Sequence, residues 1–259
     1  QRDGGDEGVP AHPVPLLERP PARLVLALVR TGRPKAALEE ELGVTDPTPT
    51  DMLALTNLDA SYRGIVDLTG LEYATNLTGL NLASNQISDL GPLADLTSLA
   101  ELYLNYNQIS DLEPLTDLAN LTSLYLYNNQ VSELDPLIDL TNLELLGLYG
   151  NQISDLSSLA GLTNLSYLYL GFNQISNLSP LANLTNLSGL YLQYNQISSL
   201  SPLANLTNLR YLDLGSNQIS DLEPLAGLTN LIRLYLWYNQ VSDLSILTGL
   251  WNLTELYLS

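Results

Sequence analysis

The side chains of this sequence that are best suited to chemistry are aromatic. Thirteen of the 15 tyrosines, the only phenylalanine and one of the two tryptophans lie in or next to short segments of alternating leucine. Tyrosine and tryptophan supply rigid, amphipathic contact area and dominate binding hot spots. With one acid and one arginine on the same segments, these rings are expected to bind a ligand. The candidate ligand-binding residues are Tyr103, Tyr106, Tyr125, Tyr127, Tyr149, Tyr167, Tyr169, Phe172, Tyr191, Tyr194, Tyr211, Asp213, Arg233, Tyr235, Trp237, Tyr238 and Tyr257.

The same tyrosines also have a structural interpretation, which the sequence leaves open. Tyrosine favours strands, and rings at the same position of adjacent strands stack and stabilise one another. Against this, an exposed aromatic surface of such extent is rare in a protein that has no partner. We therefore favour binding over a purely structural role.

The aromatic pattern is interrupted at places where a ligand would meet different chemistry. One position that is usually tyrosine holds Asn81, Gly147 and Asp213 at intervals of 66 residues. Arg233, near Asp213 and Glu255, predicts one patch of mixed charge. Four glycines are expected to leave a shallow depression between the rings: Gly147, Gly150, Gly171 and Gly189.

Catalytic residues are nearly absent. There is no cysteine, and the only histidine is His12, in a proline-rich segment, so the usual nucleophile–base pairs cannot be built. The acids at outward strand positions are Glu101, Asp213 and Glu255. Because parallel strands are spaced by about 4.8 Å, Asp213 and Glu255 are expected to lie roughly 10 Å apart. That distance is too long for a retaining glycosidase and just past the inverting range. We predict that the chain is not an enzyme.

Metal and cofactor sites are not predicted. Calcium requires about six to eight oxygens that converge on one point, and nothing in the sequence resembles a calcium-loop signature. We interpret the acids that follow each strand as a solvated edge that caps turns. These acids are Asp89, Asp111, Glu133, Asp155, Asp221 and Asp243, with Glu113, Asp135 and Glu223 two residues on. The recurrent N-x-[ST] sequences follow from the repeat itself and indicate glycosylation only weakly.

A repeat of 22 residues positions all of these side chains. Asparagine recurs at that interval, at Asn85, Asn107, Asn129, Asn151, Asn173, Asn195, Asn217 and Asn239. When each repeat is numbered from the leucine eight residues before its asparagine, leucine occupies positions 1, 4, 6, 14, 17 and 20 in all eight full repeats. Leucines at 4 and 6 predict a short strand whose other face carries positions 3, 5 and 7. Leucines at 14, 17 and 20 predict a 3₁₀ turn with one buried edge.

Two further positions specify the turns of the repeat. We expect the asparagine at position 9 to end the strand and to accept hydrogen bonds from amides of the turn that follows. Proline at position 16 often follows Asp, Glu or Ser, which is typical of a helix N-cap followed by an N1 proline. A single repeat would expose its leucines to water, so the repeats are expected to stack around one continuous core.

The motif L-x-x-L-x-L-x-x-N-Q-[IV]-S-x-L-x-P-L-x-x-L-T-N resembles the 22-residue class of leucine-rich repeat, and within it the bacterial internalin-type surface proteins. The segment LTNLDASYRGIVDLTGLEYATN (55–76) resembles their degenerate first repeat, with Arg63 in place of asparagine and Ala60 and Ala74 in place of leucines. The resemblance implies an α/β solenoid: a leucine-rich repeat horseshoe with a parallel β-sheet on the concave face, 3₁₀ and turn segments on the convex face, and a helical N-terminal cap. Because that family displays unrelated binding surfaces on one frame, the resemblance does not name the partner.

The chain divides into five segments. Residues 1–21 predict a flexible, proline-rich tail or linker. Residues 22–54 predict a helical N-terminal cap, with helices at 22–30, 34–43 and 48–55 and Thr50 as the N-cap of the third. The degenerate repeat occupies 55–76, eight full repeats occupy 77–252, and residues 253–259 begin a ninth. Because the sequence stops in mid-repeat, we expect either more protein after Ser259 or a partner that covers this end, including end-to-end contact between copies.

Charge limits the partners of the chain. The formal net charge is −19, and residues 77–259 carry 16 acidic residues against only Arg210 and Arg233. So acidic an array repels phosphate backbones, and nucleic acid is not an expected partner. No run of about 18 apolar residues is present, so no transmembrane segment is expected. The resemblance implies a place outside the cell or on a bacterial cell surface; a cytoplasmic location is the alternative.

These observations favour a non-catalytic recognition or adhesion module that binds a protein partner through a tyrosine-rich concave face. The main alternative is a carbohydrate ligand, because rings stack on sugar faces while Asn, Gln and Asp bind hydroxyls. A third hypothesis is a structural, self-associating surface or filament component. A fourth, from a resemblance to the eukaryotic phosphatase-regulating proteins with 22-residue repeats, is a cytoplasmic scaffold. The near-constant frame is also compatible with an artificial consensus sequence.

Overall fold

A computed structural model describes Gly43 and residues 48–258. In this part of the chain ten short parallel strands form one sheet, in sequence order from β1 to β10. Each strand pairs with the next at a shift of 22 residues, as Leu102 does with Leu124. The predicted parallel sheet with one strand per repeat is confirmed. The strands are β1 (Asn57–Asp59), β2 (Gly79–Asn81), β3 (Glu101–Tyr103), β4 (Ser123–Tyr125), β5 (Leu145–Gly147), β6 (Tyr167–Tyr169), β7 (Gly189–Tyr191), β8 (Tyr211–Asp213), β9 (Arg233–Tyr235) and β10 (Glu255–Tyr257).

A 3₁₀ helix follows each of the first nine strands, as the leucine spacing predicts. The expected N-cap at position 15 is wrong by one residue. The N-cap is the leucine at position 14, such as Leu112, and Glu113 is already the first helical residue. The reason is that the acid at position 13 reaches the helix start: Oδ1 of Asp111 accepts the amide N–H of Glu113 at 2.9 Å. The helices are η1 (Leu71–Tyr73), η2 (Gly91–Leu93), η3 (Glu113–Leu115), η4 (Asp135–Leu137), η5 (Ser157–Leu159), η6 (Ser179–Leu181), η7 (Ser201–Leu203), η8 (Glu223–Leu225) and η9 (Ser245–Gly249).

The leucines form one continuous core between the sheet and the 3₁₀ helices. From Leu77 to Leu231, every leucine at the six repeat positions is at most 3% exposed. Burial of one leucine side chain contributes about 1.5–3 kcal/mol, and no single repeat can provide it without its neighbours. The frame is therefore stabilised by stacking.

The asparagine at position 9 joins each repeat to the preceding one. Oδ1 of Asn107 accepts the amide N–H of Ile87, and Nδ2 donates to the carbonyl oxygens of Leu82 and Leu104, each at 3.0 Å. The expected bond to a turn amide is present, but the turn belongs to the preceding repeat, because stacking brings the side chain against that backbone. The same contacts recur at Asn85, Asn129, Asn151, Asn173, Asn195, Asn217 and Asn239.

The predicted helical cap is described only at its last element, α1 (Pro49–Met52). The N-cap is Thr48 and not Thr50: Oγ1 of Thr48 accepts the amide N–H of Asp51, and Oδ2 of Asp51 accepts the amide N–H of Thr48. This capping box begins the helix at Pro49, so Thr50 lies inside the first turn. The helix ends at Met52, earlier than predicted. The predicted tail and the helices at 22–30 and 34–43 lie outside the described residues, Gly43 excepted.

Candidate ligand-binding face

One face of the sheet lies against the leucine core, and the other carries positions 3, 5 and 7, because side chains alternate along a strand. We name the second face, together with the strand ends at position 8, the outer sheet face. The predicted ligand-binding residues all lie here, but they differ widely in exposure. Tyr125, Tyr127, Tyr169 and Tyr235 are buried, whereas Tyr238 is 71% exposed. The face is therefore not a uniform row of exposed rings.

Five tyrosines form a packed ring cluster, which we define as Tyr103, Tyr125, Tyr127, Tyr169 and Tyr191. It contains two parallel stacks: Tyr103 on Tyr125, with ring centroids 4.7 Å apart, and Tyr169 on Tyr191, with centroids 4.6 Å apart. The ring of Tyr127 meets Tyr125 and Tyr169 edge-on at centroid distances of 5.9 and 5.8 Å, and so joins the two stacks. Each such ring pair contributes about 0.5–1.5 kcal/mol beyond burial. Much of the ring surface in this cluster is used within the protein.

Burial raises the pKa of the hydroxyls in the packed ring cluster. The pKa of Tyr125 rises to about 12, mainly through burial and secondly through the nearby Glu101 carboxylate. The pKa of Tyr191 also rises to about 12, again mainly through burial. Burial likewise raises the pKa of Tyr127 and Tyr169. These hydroxyls are neutral near pH 7 and poorly matched to proton transfer there.

The glycines of the outer sheet face do not form the predicted depression, because neighbouring side chains lie on them. The ring of Tyr127 lies against Gly147. A Cβ on Gly189 would stand 2.6 Å from Cδ1 of Tyr167, so this ring also requires glycine beside it. The glycines are positions where rings pack down onto the sheet. Neighbouring side chains occupy the space at Gly150 and Gly171 in the same way.

Position 8, just after each strand, has a left-handed backbone, a feature that the sequence analysis missed. The left-handed conformation costs most L-residues about 1–2 kcal/mol, and bulky side chains adopt it rarely. A signal was present in the sequence, because Asn128 and Gly150 are the residue types that tolerate a positive φ. All residues at this position have φ between 50° and 70°: Tyr62, Ser84, Tyr106, Asn128, Gly150, Phe172, Tyr194, Ser216 and Tyr238.

The aromatic residues at position 8 form the most exposed part of the predicted site. We define Tyr106, Phe172, Tyr194 and Tyr238 as the exposed ring row. Tyr106 is 58% exposed, Phe172 42% and Tyr238 71%, while Tyr194 is half-buried. A strained backbone that carries an exposed bulky ring does not stabilise the fold, which makes this row a candidate for function.

The remaining predicted rings connect or flank these two groups. At position 7, Tyr149 contacts Phe172 at a centroid distance of 4.9 Å, and Trp237 contacts Tyr194 at 5.1 Å. The half-buried Tyr167 packs against the ring cluster. Tyr257 is half exposed and pairs with Tyr235 at a centroid distance of 4.9 Å.

Asp213 and Arg233, which were predicted to share one patch, differ in exposure. Asp213 has no exposed surface, and its Oδ1 accepts the amide N–H of Gly215 at 3.0 Å. The short acid folds back onto the amide two residues on, as Asx turns do. Arg233 pairs with Glu255 instead, Nε to Oε1 at 2.9 Å, and its Cζ lies 5.5 Å from the ring centre of Tyr211. The solvent-exposed charges of the predicted patch are therefore those of Arg233 and Glu255.

The described part of the chain has two features that bear on metal and membrane binding. Within it, no three acidic or histidine side chains are grouped so that they could hold a metal ion. No helix in residues 48–258 is long and apolar enough to span a bilayer. His12 lies outside the described residues. The outer sheet face supplies a set of rings, the buried side-chain amides of Asn105 and Gln193, and one ion pair.

Comparison with known proteins identifies relatives of this frame. The family model for leucine-rich repeats (2 copies) matches residues 75–117, 97–139, 119–160, 141–183, 185–227 and 229–259. The structure is similar to that of internalin InlF from Listeria monocytogenes, with 34% sequence identity and a TM-score of 0.74, over 86% of this chain and 73% of that one. Internalin C2 from the same organism gives 39% identity and a TM-score of 0.64, over 86% of this chain and 91% of that one. A leucine-rich repeat protein from Leptospira interrogans gives 26% identity and a TM-score of 0.68, over 80% of this chain and 62% of that one.

A search of curated proteins gave no match. The family matches nevertheless span most of the chain and coincide with the repeats that build the sheet. The similarity to the two internalins extends over sequence as well as fold. The chain therefore belongs to the leucine-rich repeat family and is an internalin-type member of it.

Proposed function

We propose that this chain is a non-catalytic recognition module that binds a protein partner through the outer sheet face, the concave face of the expected horseshoe. The coarser role, protein interaction, is what an internalin-type leucine-rich repeat fold implies. The observation that supports binding through this face is the exposed ring row, where bulky rings are open to solvent and are held by a strained, left-handed backbone. Tyrosine and other aromatic residues are enriched at protein interfaces and among their hot spots.

The proposal assigns different roles to the two ring groups. The packed ring cluster stabilises the sheet and forms a rigid floor, since its rings are stacked on one another. The exposed ring row supplies the contact area, because Tyr106, Phe172 and Tyr238 keep much of their surface free. Rigid aromatic side chains lose little conformational entropy when they bind.

Location and the nature of the ligand are also part of the proposal. We place the protein outside a bacterial cell or on its surface, on the strength of its similarity to internalins. A net charge of −19 favours a partner with a basic surface, because charge complementarity steers association. A glycan ligand, end-to-end contact between copies and a cytoplasmic location stay predictions that nothing described above favours.

Serine replacement of the exposed rings tests the proposal without disturbing the frame. The triple variant is Tyr106→Ser, Phe172→Ser, Tyr238→Ser. Serine is compatible with the backbone of position 8, because Ser84 and Ser216 already occupy that position with a positive φ. The matched control is Ile138→Ser, which removes a 51% exposed apolar side chain just after η4, away from the sheet.

The three proteins are immobilised and exposed to solubilised cell-surface proteins, and the captured proteins are quantified by mass spectrometry. We expect a partner that the wild type and the Ile138→Ser control capture and the triple variant loses. Capture of the same proteins by all three, or of none, would overturn the assignment. A glycan array run in parallel separates the alternative: saturable binding of one glycan class, with no protein captured, would replace the proposal.

A further inference from the structure

The most unusual polar group on the outer sheet face is the side-chain amide of Gln193. This residue, at position 7 of its repeat, is only 8% exposed. Its Oε1 is buried and has no hydrogen-bond partner among the described residues. A buried acceptor without a donor is costly, and proteins rarely keep one unless it serves a ligand or a mechanism.

A second buried amide at the same repeat position shows that this situation is not imposed by the fold. Asn105 is also 8% exposed. Its Oδ1 accepts the amide N–H of Tyr127 at 2.8 Å, so its carbonyl is satisfied within the protein. Position 7 can therefore hold a buried amide that is bonded, and Gln193 is the exception.

Aromatic rings surround Gln193 on both sides along the sheet. Its neighbours at position 7 are Gly171 and Gly215, and the residues beyond them are Tyr149 and Trp237. A Cβ on Gly171 would stand 2.8 Å from Oε1 of Gln193 and 2.9 Å from Cδ2 of Tyr149, so amide and ring meet above this glycine. On the other side, a Cβ on Gly215 would collide with the indole of Trp237. The two glycines thus let both rings lean toward the amide.

Two members of the exposed ring row complete the enclosure. Phe172 lies between Tyr149 and Tyr194, with ring centroids 4.9 and 3.9 Å away, and Tyr194 contacts Trp237 at 5.1 Å. Four rings therefore form a continuous chain of contacts across the repeats on either side of the unsatisfied carbonyl. We name the set Tyr149, Phe172, Gln193, Tyr194 and Trp237 the Gln193 subsite.

The charge around the subsite favours a cation. Within residues 77–259 there are 16 acids and two arginines. The fully buried Asp213 pairs in the sheet with Tyr191, two residues before Gln193. The Asp213 charge also contributes to the raised pKa of Tyr149, after burial and the hydroxyls of Tyr106 and Tyr194. Ring faces attract cations, most strongly when the pair is desolvated. The same face already holds one such contact in the guanidinium of Arg233 over the Tyr211 ring, at 5.5 Å.

From these observations we propose that the Gln193 subsite receives a guanidinium side chain of a protein partner, with the rings as walls and Oε1 of Gln193 as the hydrogen-bond acceptor. A guanidinium matches the site because it is planar, stacks on rings and carries donors and no acceptor. Entry requires the rings of Phe172 and Tyr194 to turn. Both are side chains at a strand end with solvent access, and such rotamer changes are fast. The inference rests on the proposed function, since it names a contact within the proposed interface.

The test uses a small probe, so it does not depend on knowing the partner. Trp251, which is 84% exposed, is replaced by phenylalanine so that Trp237 is the only tryptophan left. N-acetyl-arginine amide and its neutral isostere N-acetyl-citrulline amide are titrated at constant ionic strength while tryptophan emission is recorded. We expect a weak, saturable response to the arginine probe and binding about five- to thirtyfold weaker for the citrulline probe. Equal responses, or no saturable response, would overturn the inference.

Two variants separate recognition from a structural role. Gln193→Leu is expected to weaken arginine binding by about fivefold or more and to leave the melting temperature unchanged or higher, since it removes an unsatisfied buried group. Asn105→Leu is the matched control: it is expected to lower the melting temperature, because it leaves the amide N–H of Tyr127 unpaired, and to spare arginine binding. Destabilisation of Gln193→Leu as large as that of Asn105→Leu would assign the amide to the frame and reject the subsite.

The outcomes also distinguish this inference from the proposed function. If the protein captures a partner through the exposed ring row but shows no preference for the arginine probe, only the subsite is wrong. If no partner is captured, the proposed function fails whatever the probe shows.

Discussion

Replacement of Tyr127 by alanine removes the central ring of the packed ring cluster. Tyr127 is 8% exposed, and its ring contacts Tyr125, Tyr149 and Tyr169 at centroid distances of 5.9, 6.4 and 5.8 Å. Truncation of a buried aromatic side chain costs about 3–5 kcal/mol, because the lost transfer energy and the new cavity add. The ring lies over Gly147, which has no side chain to fill the space. We therefore expect the free energy of unfolding to fall by about 4 kcal/mol.

Equilibrium urea denaturation measures this loss, with two controls. Tyr127→Phe keeps the ring and its three contacts, so its cost should stay below about 1.5 kcal/mol. Tyr238→Ser removes a ring that is 71% exposed, and the change should lie within about 0.5 kcal/mol of zero. If Tyr127→Ala is no more destabilising than Tyr238→Ser, the stacked tyrosines have no structural role. The division between a packed cluster and an exposed row would then be refuted.

Three further predictions concern the frame. Asn151→Ala leaves the amide N–H of Val131 and two carbonyl oxygens without their partner, so the free energy of unfolding should fall by about 3 kcal/mol. Asn142→Ala breaks one exposed hydrogen bond and should lower it by only about 0.5–1 kcal/mol. Equal losses in urea denaturation would contradict the role of the position-9 asparagine in joining repeats. Because the pKa of Tyr125 is raised to about 12, the folded chain keeps a proton that the unfolded chain releases near pH 10, so this contribution to stability is complete below about pH 10 and is lost as the pH rises toward 12. Circular dichroism across that range checks the sign. Tyr125→Phe should make the loss smaller but not abolish it, because the pKa of Tyr191 is raised to about 12 as well; stability that stays level to pH 12 would contradict it. Tyr106 is 58% exposed and has a positive φ, which asparagine tolerates better than tyrosine. Tyr106→Asn should therefore raise the free energy of unfolding by about 0.5–1 kcal/mol in the urea assay. A decrease would show that contacts of the tyrosine ring outweigh the backbone strain.

The leucine frame was predictable because the local structure, a strand or a 3₁₀ turn, determines the spacing of its residues. Leu102 and Leu104 alternate as a strand requires, and Leu112 and Leu115 have the spacing of a 3₁₀ turn, so the order and register of the elements followed from the 22-residue period. The role of Asn107 was only half predictable. Its side chain bonds to the preceding repeat, and the sequence shows that repeats stack but not which backbone a side chain meets.

The site was predictable in composition and not in arrangement. Tyr127 is buried and Tyr238 is exposed, although both are tyrosines of the outer sheet face. The difference arises because Gly147 allows the first ring to lie down, while the backbone of position 8 turns the second ring outward. Such differences depend on which side chain stands one repeat away, so they follow from pairs of positions and not from one position alone. The burial of Gln193 is an effect of the same kind that involves five repeats, because Gly171 and Gly215 on either side of it are covered by Tyr149 and Trp237 of the next repeats.

The two halves of the outer sheet face follow different rules. Along the strands, rings stack, short acids close Asx turns and buried amides such as Asn105 are bonded, so local choices agree with the fold. At position 8, exposed rings sit on a left-handed backbone, and beside one of them Oε1 of Gln193, at position 7 like Asn105, lies buried without a hydrogen-bond donor among the described residues. Local rules are broken mainly where function requires it. Because the backbone of position 8 stays left-handed whether the residue is Ser84, Gly150 or Phe172, the side chain there can change without moving the frame. Under the proposed function, such a surface would acquire a new partner by substitution at position 8, while the leucine core and the asparagine ladder remain as they are.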